Sequence, residues 1–387
     1  MDKKFFSGAN AAKTLAAFAV LGGLFFAGRK AFLDSRRQFP IYPSSGVSRV
    51  AHLSEYFGGV KGTAADGEVY VFDSGKPGAS VLILGGTHND EPAGHVAAVA
   101  LIENIRVTQG RVFIAPRANA SGLTHTTPLE GFLDRYWVDT PGGKRWFKFG
   151  SRYTNPVYQW PDPDIFVHHQ SLQSMAGEES RNLNRCWPGR PDGTYTEKLA
   201  FAYMELMRKE KIAIAADFHE APLEYFLINA ICYPEKSGKV AMGAEFNLSM
   251  EDLDYTMEAS PGNLHGFFHR EVGDYAGTMP FLMETPNPSQ GRFHGKMTND
   301  LIVTGRDENY IKAGKLGRLF VDMDEKGWPL SLRVARHIKS IEEIINSYNE
   351  LHPEQPVTVE SIPPYAEMVS KGVGAFLHAP EHEPFSN

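Results

Sequence analysis

The chain has 387 residues, of which 42% are hydrophobic and 22% are charged, and this composition excludes a disordered or fibrous protein. The formal net charge is -7 and no basic run is interleaved with aromatic residues, so we expect no nucleic-acid partner. The two cysteines, Cys186 and Cys232, are too few for a disulfide framework but leave a single bridge open.

The N-terminus has the layout of an export signal, because lysines precede an apolar run and basic residues follow it. The run, residues 15–27, holds 13 residues, fewer than the ~20 of a spanning helix and closer to the core of a signal peptide. We predict that residues 1–36 are a signal peptide or a membrane anchor, with residues 14–28 as the tether. The protein would then be exported or membrane-anchored, on the periplasmic side if bacterial. The alternative is an N-terminal helix packed on a cytoplasmic protein.

After a lead-in at residues 37–64, the apolar pattern predicts one domain over residues 65–352. It starts with strands at residues 67–73 and 81–84. Pro92 then begins a helix that runs to residue 105, and a further strand follows at residues 111–116. A strand, a helix and a strand in this order predict a parallel crossover and an α/β fold.

A histidine and a glutamate lie in the short loop between the second strand and the helix. His88 and Glu91 are close enough in sequence to reach one metal ion, and zinc accepts both imidazole and carboxylate ligands. The alternative is an ordinary strand-to-helix turn, in which Glu91 favours the positive end of the helix and His88 is solvated. Two ligands do not decide between these interpretations.

Residues 123–180 interrupt the alternation of strands and helices. They contain many tryptophan, tyrosine, proline and glycine residues without a sustained period, and the aromatic content argues against disorder. We interpret them as an insertion packed over or beside a site. The alternative is a surface excursion with a small core of its own.

Two later strands also end in ionisable residues. The strand at residues 212–216 is followed by Asp217 and His219, and the strand at residues 280–283 by Glu284. The carboxyl ends of parallel strands meet at one edge of a sheet, where ligand sites form. His219 would then complete a zinc site with one position left for water, Asp217 would orient His219, and Glu284 would be the general base.

The segment between these ligand groups contains Arg181, Asn184 and Arg185. The two guanidinium groups can bind a substrate carboxylate or a developing oxyanion, and the amide of Asn184 can donate a hydrogen bond. In isolation, arginines in a polar turn are usually solvated.

These motifs, in this order, resemble those of the zinc carboxypeptidase superfamily, and most closely its succinylglutamate desuccinylase and aspartoacylase branch. The resemblance covers roughly residues 65–300, with motifs at segments 85–91, 182–185, 217–219 and 283–285. It implies a mixed, largely parallel twisted sheet flanked by helices, and an amide hydrolase that uses zinc-activated water.

The resemblance also implies a role for each site residue. One zinc ion would be held by His88, Glu91 and His219, with Glu284 as the general base, whereas Asn184 and Arg185 would bind the carboxylate of the substrate. Arg181 is nearest to this motif and is our candidate for the oxyanion, with the insertion arginines Arg145 and Arg152 as alternatives.

The predicted function is therefore that of a zinc hydrolase of the N-acyl amino acid deacylase type, acting on a small molecule or peptide with a free carboxylate. The first alternative is an exported metallocarboxypeptidase that cleaves peptides or peptidoglycan fragments. The second is a binding protein without catalysis on the same fold. Towards the C-terminus, an amphipathic helix at residues 330–351 is expected to pack on the domain, and residues 353–387 to form a tail.

Overall fold

The computed structural model describes residues 8–126 and 133–378, and the chain divides into two compact units, Met1–Gln38 and Phe39–Asn387. The α-helices are α1 (Gly8–Ser35), α2 (Pro92–Asn104), α3 (Tyr195–Glu210), α4 (Gly238–Met250), α5 (Phe268–Tyr275), α6 (Asn299–Thr304), α7 (Glu308–Lys315), α8 (Leu330–Leu351) and α9 (Tyr365–Lys371). The strands are β1 (Arg49–His52), β2 (Glu68–Asp73), β3 (Ser80–Gly85), β4 (Arg106–Gln109), β5 (Arg111–Ala115), β6 (Arg135–Thr140), β7 (Gly143–Lys148), β8 (Ile165–Val167), β9 (Ser174–Ala176), β10 (Ile212–Ala221), β11 (Ala230–Tyr233), β12 (Thr256–Ala259), β13 (Met279–Pro286) and β14 (Thr358–Glu360).

In the described part of the first unit, residues 8–38, the chain forms one helix, α1. Its apolar part, Asn10–Asp34, has 25 residues, none of them buried. At 1.5 Å per residue this part is about 38 Å long, enough to cross a hydrocarbon core of about 30 Å. The helix is longer than the predicted apolar run because alanines, which favour helix strongly, continue it on the N-terminal side. One N-terminal helix of this kind fits a signal sequence as well as a membrane anchor.

The second unit is built on an eight-stranded sheet with the order β1-β2-β5-β3-β10-β13-β11-β12. The central strands β5, β3, β10 and β13 are parallel neighbours, whereas β2 and β11 flank them in the antiparallel direction. The sheet is therefore mixed and largely parallel, as predicted.

Helices cover both faces of this sheet. Along β3, Val81 and Ile83 point into the core that contains α2 and α8, while Leu82 and Leu84 point into the core that contains α3 and α5. A strand buried on both faces needs apolar residues at every position, which explains the unbroken apolar run at residues 81–84. The predicted α/β class with flanking helices is confirmed.

Two glycines allow α2 to lie unusually close to the sheet. A Cβ atom on Gly94 would be 2.5 Å from the carbonyl oxygen of Phe218 in β10, and one on Gly85 would be 2.5 Å from the carbonyl oxygen of Gly94. Larger residues at either position would push the helix away from the strands. This close approach brings the start of α2 to the carboxyl ends of β3 and β10.

The insertion at residues 123–180 contains two antiparallel hairpins, β6–β7 and β8–β9. Tyr136 and Phe147 of the first hairpin are buried in the main core, where their rings lie beside His95 of α2. Trp160 remains 68% exposed. The insertion is therefore anchored on the domain rather than built around a separate core, and residues 127–132 lie outside the described part.

Both ends of the second unit differ from the prediction. The expected lead-in contributes β1, which pairs with β2 at the edge of the sheet. The expected tail contributes β14, which pairs with β4, and α9, and it buries the side chains of Val357, Met368, Val373 and Leu377. These elements have few apolar residues at irregular spacing, so the sequence pattern does not reveal them. Residues 379–387 lie outside the described part.

Cys186 and Cys232 are free thiols, so the bridge left open by the sequence is not formed.

Candidate metal centre

The loop between β3 and α2 carries the first two candidate ligands. Gly86, with φ of 74°, turns the chain after β3, and Glu91 precedes Pro92 at the first position of α2. His88 Nδ1 lies 2.8 Å from Glu91 Oε1, and the two residues are only 3% and 1% exposed. The glycine turn and the helix-starting proline thus hold an imidazole and a carboxylate face to face.

His219 joins them from the neighbouring strand. It lies near the carboxyl end of β10, and its Nδ1 is 3.0 Å from Glu91 Oε2. One donor atom from each of His88, Glu91 and His219 lies within 4.8 Å of the other two. We call these three residues the metal site. The structure brings together the three ligands that the sequence predicted.

An oxygen atom lies close to the outer nitrogen of each histidine, in a hydrogen bond for His88 and in an ion-pair contact for His219. His88 Nε2 lies 2.8 Å from Asn182 Oδ1, and His219 Nε2 lies 2.9 Å from Asp217 Oδ2. Thr87 Oγ1 in turn donates to Asp217 Oδ1 at 2.8 Å. When the outer nitrogens carry the protons, both Nδ1 atoms are left with a lone pair for a metal, as in zinc sites with oriented histidines. The donor set therefore fits zinc.

The charges at the metal site stabilise one another. Burial acts to raise the pKa of Glu91, but the two histidines outweigh it and hold this pKa well below its ordinary value. Burial likewise acts to lower the pKa of His219, but Asp217 and Glu91 raise it well above its ordinary value. A carboxylate that is ionised in a buried place needs positive partners, and a divalent cation is such a partner.

A cavity of about 510 Å³ opens beside the metal site, and Glu284 lines it. Glu284 lies opposite His219 in the parallel pairing of β13 with β10. Its Oε2 atom is buried and has no hydrogen-bond partner among the described residues. Burial raises the pKa of Glu284 to about 8, although His219 opposes this shift. A carboxyl group with such a pKa can exchange protons near neutral pH.

The three candidate arginines lie in different places. Arg181 binds Asp162 through two nitrogen atoms, at 2.6 and 2.8 Å, and does not line the cavity. Arg145 is buried against Glu103, with Nη1 2.6 Å from Oε2. Arg152 does line the cavity, and its Nη2 lies 3.5 Å from Oε1 of Glu91. The structure therefore does not bring Arg181, the arginine favoured from the sequence, to the metal site.

Asn184 and Arg185 line the cavity as predicted from the sequence. Asn184 Oδ1 accepts a hydrogen bond of 2.8 Å from the backbone N–H of Phe268, which leaves its amide nitrogen for a ligand. The Arg185 guanidinium lies over the ring of Phe267, 4.0 Å from its centroid. Burial lowers the pKa of Arg185, and its distance from Glu179, 3.6 Å, is longer than that of a direct hydrogen bond. An anionic group entering the cavity would compensate this cation.

Sequence reasoning missed three further residues of the site. Asn182 orients His88, and its signal was its place in the same short motif as Asn184. Gln290 donates from Nε2 to Glu91 Oε1 at 2.8 Å. His269 lines the cavity, although a lone histidine in a turn-rich segment is more often a surface residue. No local pattern marks Gln290 or His269, because Gln290 lies in a turn after β13 and His269 lies at the start of the short helix α5, and tertiary packing alone brings them to the site.

No protein-family model and no curated protein matches the chain. Solved structures do match it. A succinylglutamate desuccinylase from a Silicibacter species is 19% identical with a TM-score of 0.34, over 64% of this chain and 63% of that chain. A metallo-carboxypeptidase from Burkholderia cenocepacia is 13% identical with a TM-score of 0.43, over 84% and 69%. The tripeptide-bound cell shape determinant Csd4 from Helicobacter pylori is 12% identical with a TM-score of 0.40, over 76% and 56%.

This chain spans less than two thirds of the length of the desuccinylase and of Csd4. The resemblance predicted from the motifs is confirmed to this extent: the solved structures similar to this chain include both a succinylglutamate desuccinylase and a metallo-carboxypeptidase.

Proposed function

We propose that this protein is a zinc-dependent hydrolase that cleaves an amide bond in a substrate with a free carboxylate. The observation that carries the proposal is the meeting at one cavity of the metal site, the guanidinium groups of Arg152 and Arg185, and a buried oxygen of Glu284 that has no partner among the described residues. Each of these features, taken alone, also occurs in proteins without catalytic activity. Together they provide a metal-binding site, a proton carrier and two anion-binding groups around the same cavity.

The metal site would hold the ion through two imidazoles and one carboxylate, which is a ligand set of catalytic zinc. A zinc ion bound there supplies a Lewis acid at the edge of the cavity. Asn182 orients the ring of His88 through a hydrogen bond, and the carboxylate of Asp217 lies 2.9 Å from the outer nitrogen of His219. Gln290 and the backbone N–H of Glu220 donate hydrogen bonds to the carboxylate of Glu91.

Glu284 is the group that moves protons in this proposal. Its carboxylate takes a proton from the attacking water and returns it to the nitrogen of the leaving amine. The hydrogen-bonding capacity of Oε2 is not used by the described residues, and the residue lines the cavity that would receive the substrate. A binding protein would have no need of such a carboxyl group, which is why we favour catalysis over binding alone.

Arg152 and Arg185 lie at different places in the cavity and are assigned different roles. Arg152 lies next to the metal site and would stabilise the negative charge that develops on the carbonyl oxygen of the substrate. Burial acts to lower the pKa of Arg152, but Asp90 and Glu91 outweigh burial and keep the group charged. Arg185 and the amide of Asn184 would bind the free carboxylate.

An N-acyl amino acid is the simplest substrate with these groups, and deacylation is our first candidate reaction. The apolar helix α1 favours the second candidate, a carboxypeptidase acting on peptides or peptidoglycan fragments, because an outer compartment contains such substrates. A hydrolysis screen of N-acyl amino acids and cell-wall peptides, with and without a chelator, separates the two. Chelator-sensitive release of an amino acid from either class supports the proposal, and turnover of neither class would refute the substrate assignment.

A further inference from the structure

One buried histidine in the cavity has no part in the function proposed above. His269 is the second residue of α5, is 3% exposed and lines the same cavity as Glu284 and Arg185. Its Nδ1 atom is buried without a hydrogen-bond partner, and no hydrogen bond joins either ring nitrogen to another residue in the described part of the chain. A polar group in such a position costs stability unless a ligand or water satisfies it.

The imidazole of His269 is uncharged at neutral pH. Burial lowers its pKa to about 3, and the charges of His219, Arg270 and Arg185 act in the same direction. A neutral imidazole offers one N–H donor and one acceptor nitrogen. Arg185 lines the same cavity, and its guanidinium makes this part of the cavity unfavourable for a positively charged ligand group and favourable for an oxygen atom that accepts a hydrogen bond.

The position of His269 is fixed relative to the groups proposed to bind the carboxylate. The backbone N–H of Phe268, the preceding residue, donates to Asn184 Oδ1 at 2.8 Å. The chain at Gly266 lies so close to Arg185 that a Cβ atom there would be 2.4 Å from the Arg185 carbonyl oxygen. The start of α5 and the Asn184–Arg185 turn therefore form one wall of the cavity.

Apolar side chains also line the cavity. Leu264 and Phe267 precede His269 in the chain, and Leu282 lies two residues before Glu284, on the same face of β13. These side chains offer no hydrogen bonds. A ligand group beside His269 can satisfy the imidazole only if it can form a hydrogen bond.

We propose that His269 determines specificity: it recognises an oxygen-bearing side chain, such as an amide, hydroxyl or carboxylate, on the residue whose carboxylate is bound by Arg185. The inference rests on the proposed function, because it uses the carboxylate site to fix the ligand. An apolar side chain would leave the imidazole unsatisfied, and a basic side chain would place a cation beside Arg185. Both are disfavoured relative to an oxygen-bearing side chain of similar length.

The test uses the full chain with zinc and the Glu284→Gln substitution, so that ligands bind without being cleaved. Calorimetry compares N-acetylglutamine, N-acetylmethionine and N-acetyllysine, which have side chains of similar reach. We expect N-acetylglutamine to bind tighter than N-acetylmethionine by on the order of tenfold, and N-acetyllysine to bind no better than N-acetylmethionine. The further substitution His269→Leu should remove this preference, while His269→Gln should retain most of it.

Arg185→Met in the same background is the control for the carboxylate site, and it should weaken all three ligands while the order of affinities remains. If Arg185-dependent binding is present but N-acetylmethionine binds as tightly as N-acetylglutamine, the inference is wrong and the proposed function stands. If the preference survives in His269→Leu, the inference is also wrong. If none of the three binds to the zinc-loaded protein, the proposed carboxylate site fails and the inference fails with it. The comparison of ligands in the protein that retains His269 does not depend on the folding of any His269 variant.

Discussion

At the scale of single residues, Glu284 is the side chain on which the proposed chemistry depends. Glu284→Gln keeps the shape of the side chain but removes its ability to accept and return a proton. We expect kcat to fall by about 10²- to 10⁴-fold, while the zinc content stays the same because Glu284 is not a ligand. Steady-state kinetics and metal analysis on one preparation check both parts. A variant with nearly full activity would exclude Glu284 as the proton carrier.

Arg152 and Arg181 form a matched pair for assigning the oxyanion residue. Arg152→Met should lower kcat by about 10²- to 10³-fold, since it removes a donor next to the metal site. Arg181→Met should instead lower the free energy of unfolding by about 1–3 kcal/mol, because it leaves the half-buried Asp162 without its partner, and kcat of the folded protein should be little changed. Steady-state kinetics and urea unfolding of both variants show which arginine acts in catalysis and which acts in stability. The opposite pattern would restore Arg181 as the catalytic arginine.

The residues that sequence reasoning could identify are those that follow apolar strands. His88, His219 and Glu284 lie at or near the ends of such runs, and the meeting of parallel strands at one edge is a rule of the fold class. Arg152 and Gln290 lie in segments without a period. Their side chains reach the site only because of how the insertion and the loop after β13 pack, and no local rule predicts that.

At the scale of elements, α8 is tied to the sheet by a buried ion pair. Arg333 of α8 donates from Nη1 to Glu220 Oε1 at 2.6 Å, and both side chains are fully buried. Glu220 also accepts a hydrogen bond from the backbone N–H of Ala93 in α2 and lies next to His219. One carboxylate thus joins two helices and a strand directly behind the metal site.

Arg333→Met should therefore lower the free energy of unfolding by about 3–5 kcal/mol, because it leaves a buried carboxylate without a partner. The double variant with Glu220→Gln should lose less than the sum of the two single losses, since the double variant contains no unpaired buried charge. Urea unfolding of the four proteins in this cycle measures the coupling. Additive losses would show that the pair does not hold the helices to the sheet.

Long elements with a regular apolar period can be predicted from the sequence, whereas short elements cannot. Helix α8 was predicted at the residues it occupies, because it is long and amphipathic. The strand that carries His219 extends further than predicted, through Ala221, since pairing with β13 continues past the apolar run. β14 has only three residues and α9 only seven, and tertiary packing rather than local pattern decides such short elements.

At the scale of the whole molecule, buried neutral histidines make stability depend on pH. Burial lowers the pKa values of His95 and His337 from 6.5 to about 3. A group whose pKa is lower in the folded state contributes stability that is present above pH 6.5 and is lost as the pH falls towards 3. We expect each of these two histidines to lower the free energy of unfolding at pH 5 by on the order of 2 kcal/mol relative to its value above pH 6.5.

Urea unfolding between pH 7 and pH 5, with a chelator present, measures this loss. Carboxyl groups also begin to titrate in this range, so the comparison is made with His95→Gln, which can still hydrogen-bond the hydroxyl of Tyr136. The variant should lose less stability than the parent protein over the same interval. Identical pH profiles would show that His95 is not kept neutral by burial.

The properties of helix α1 predict where the protein is located. Its apolar part is long enough to span a bilayer, and its large apolar side chains, Phe18 and Phe25 among them, are about two thirds exposed. We expect the full chain to remain in the membrane fraction after a carbonate wash, and a chain starting at Phe39 to be released. Mass spectrometry of the product shows whether the helix is still attached. A mature protein that lacks it would identify α1 as a cleaved signal sequence.

The central claim is that His88, Glu91 and His219 bind one zinc ion, and metal analysis of the purified full chain tests it most directly. We expect one equivalent of zinc per chain after growth with zinc and removal of loosely bound metal. The substitution His219→Ala should abolish that stoichiometry, whereas Glu284→Gln should preserve it. Wild-type protein without bound zinc, or zinc content unchanged by His219→Ala, would contradict the account.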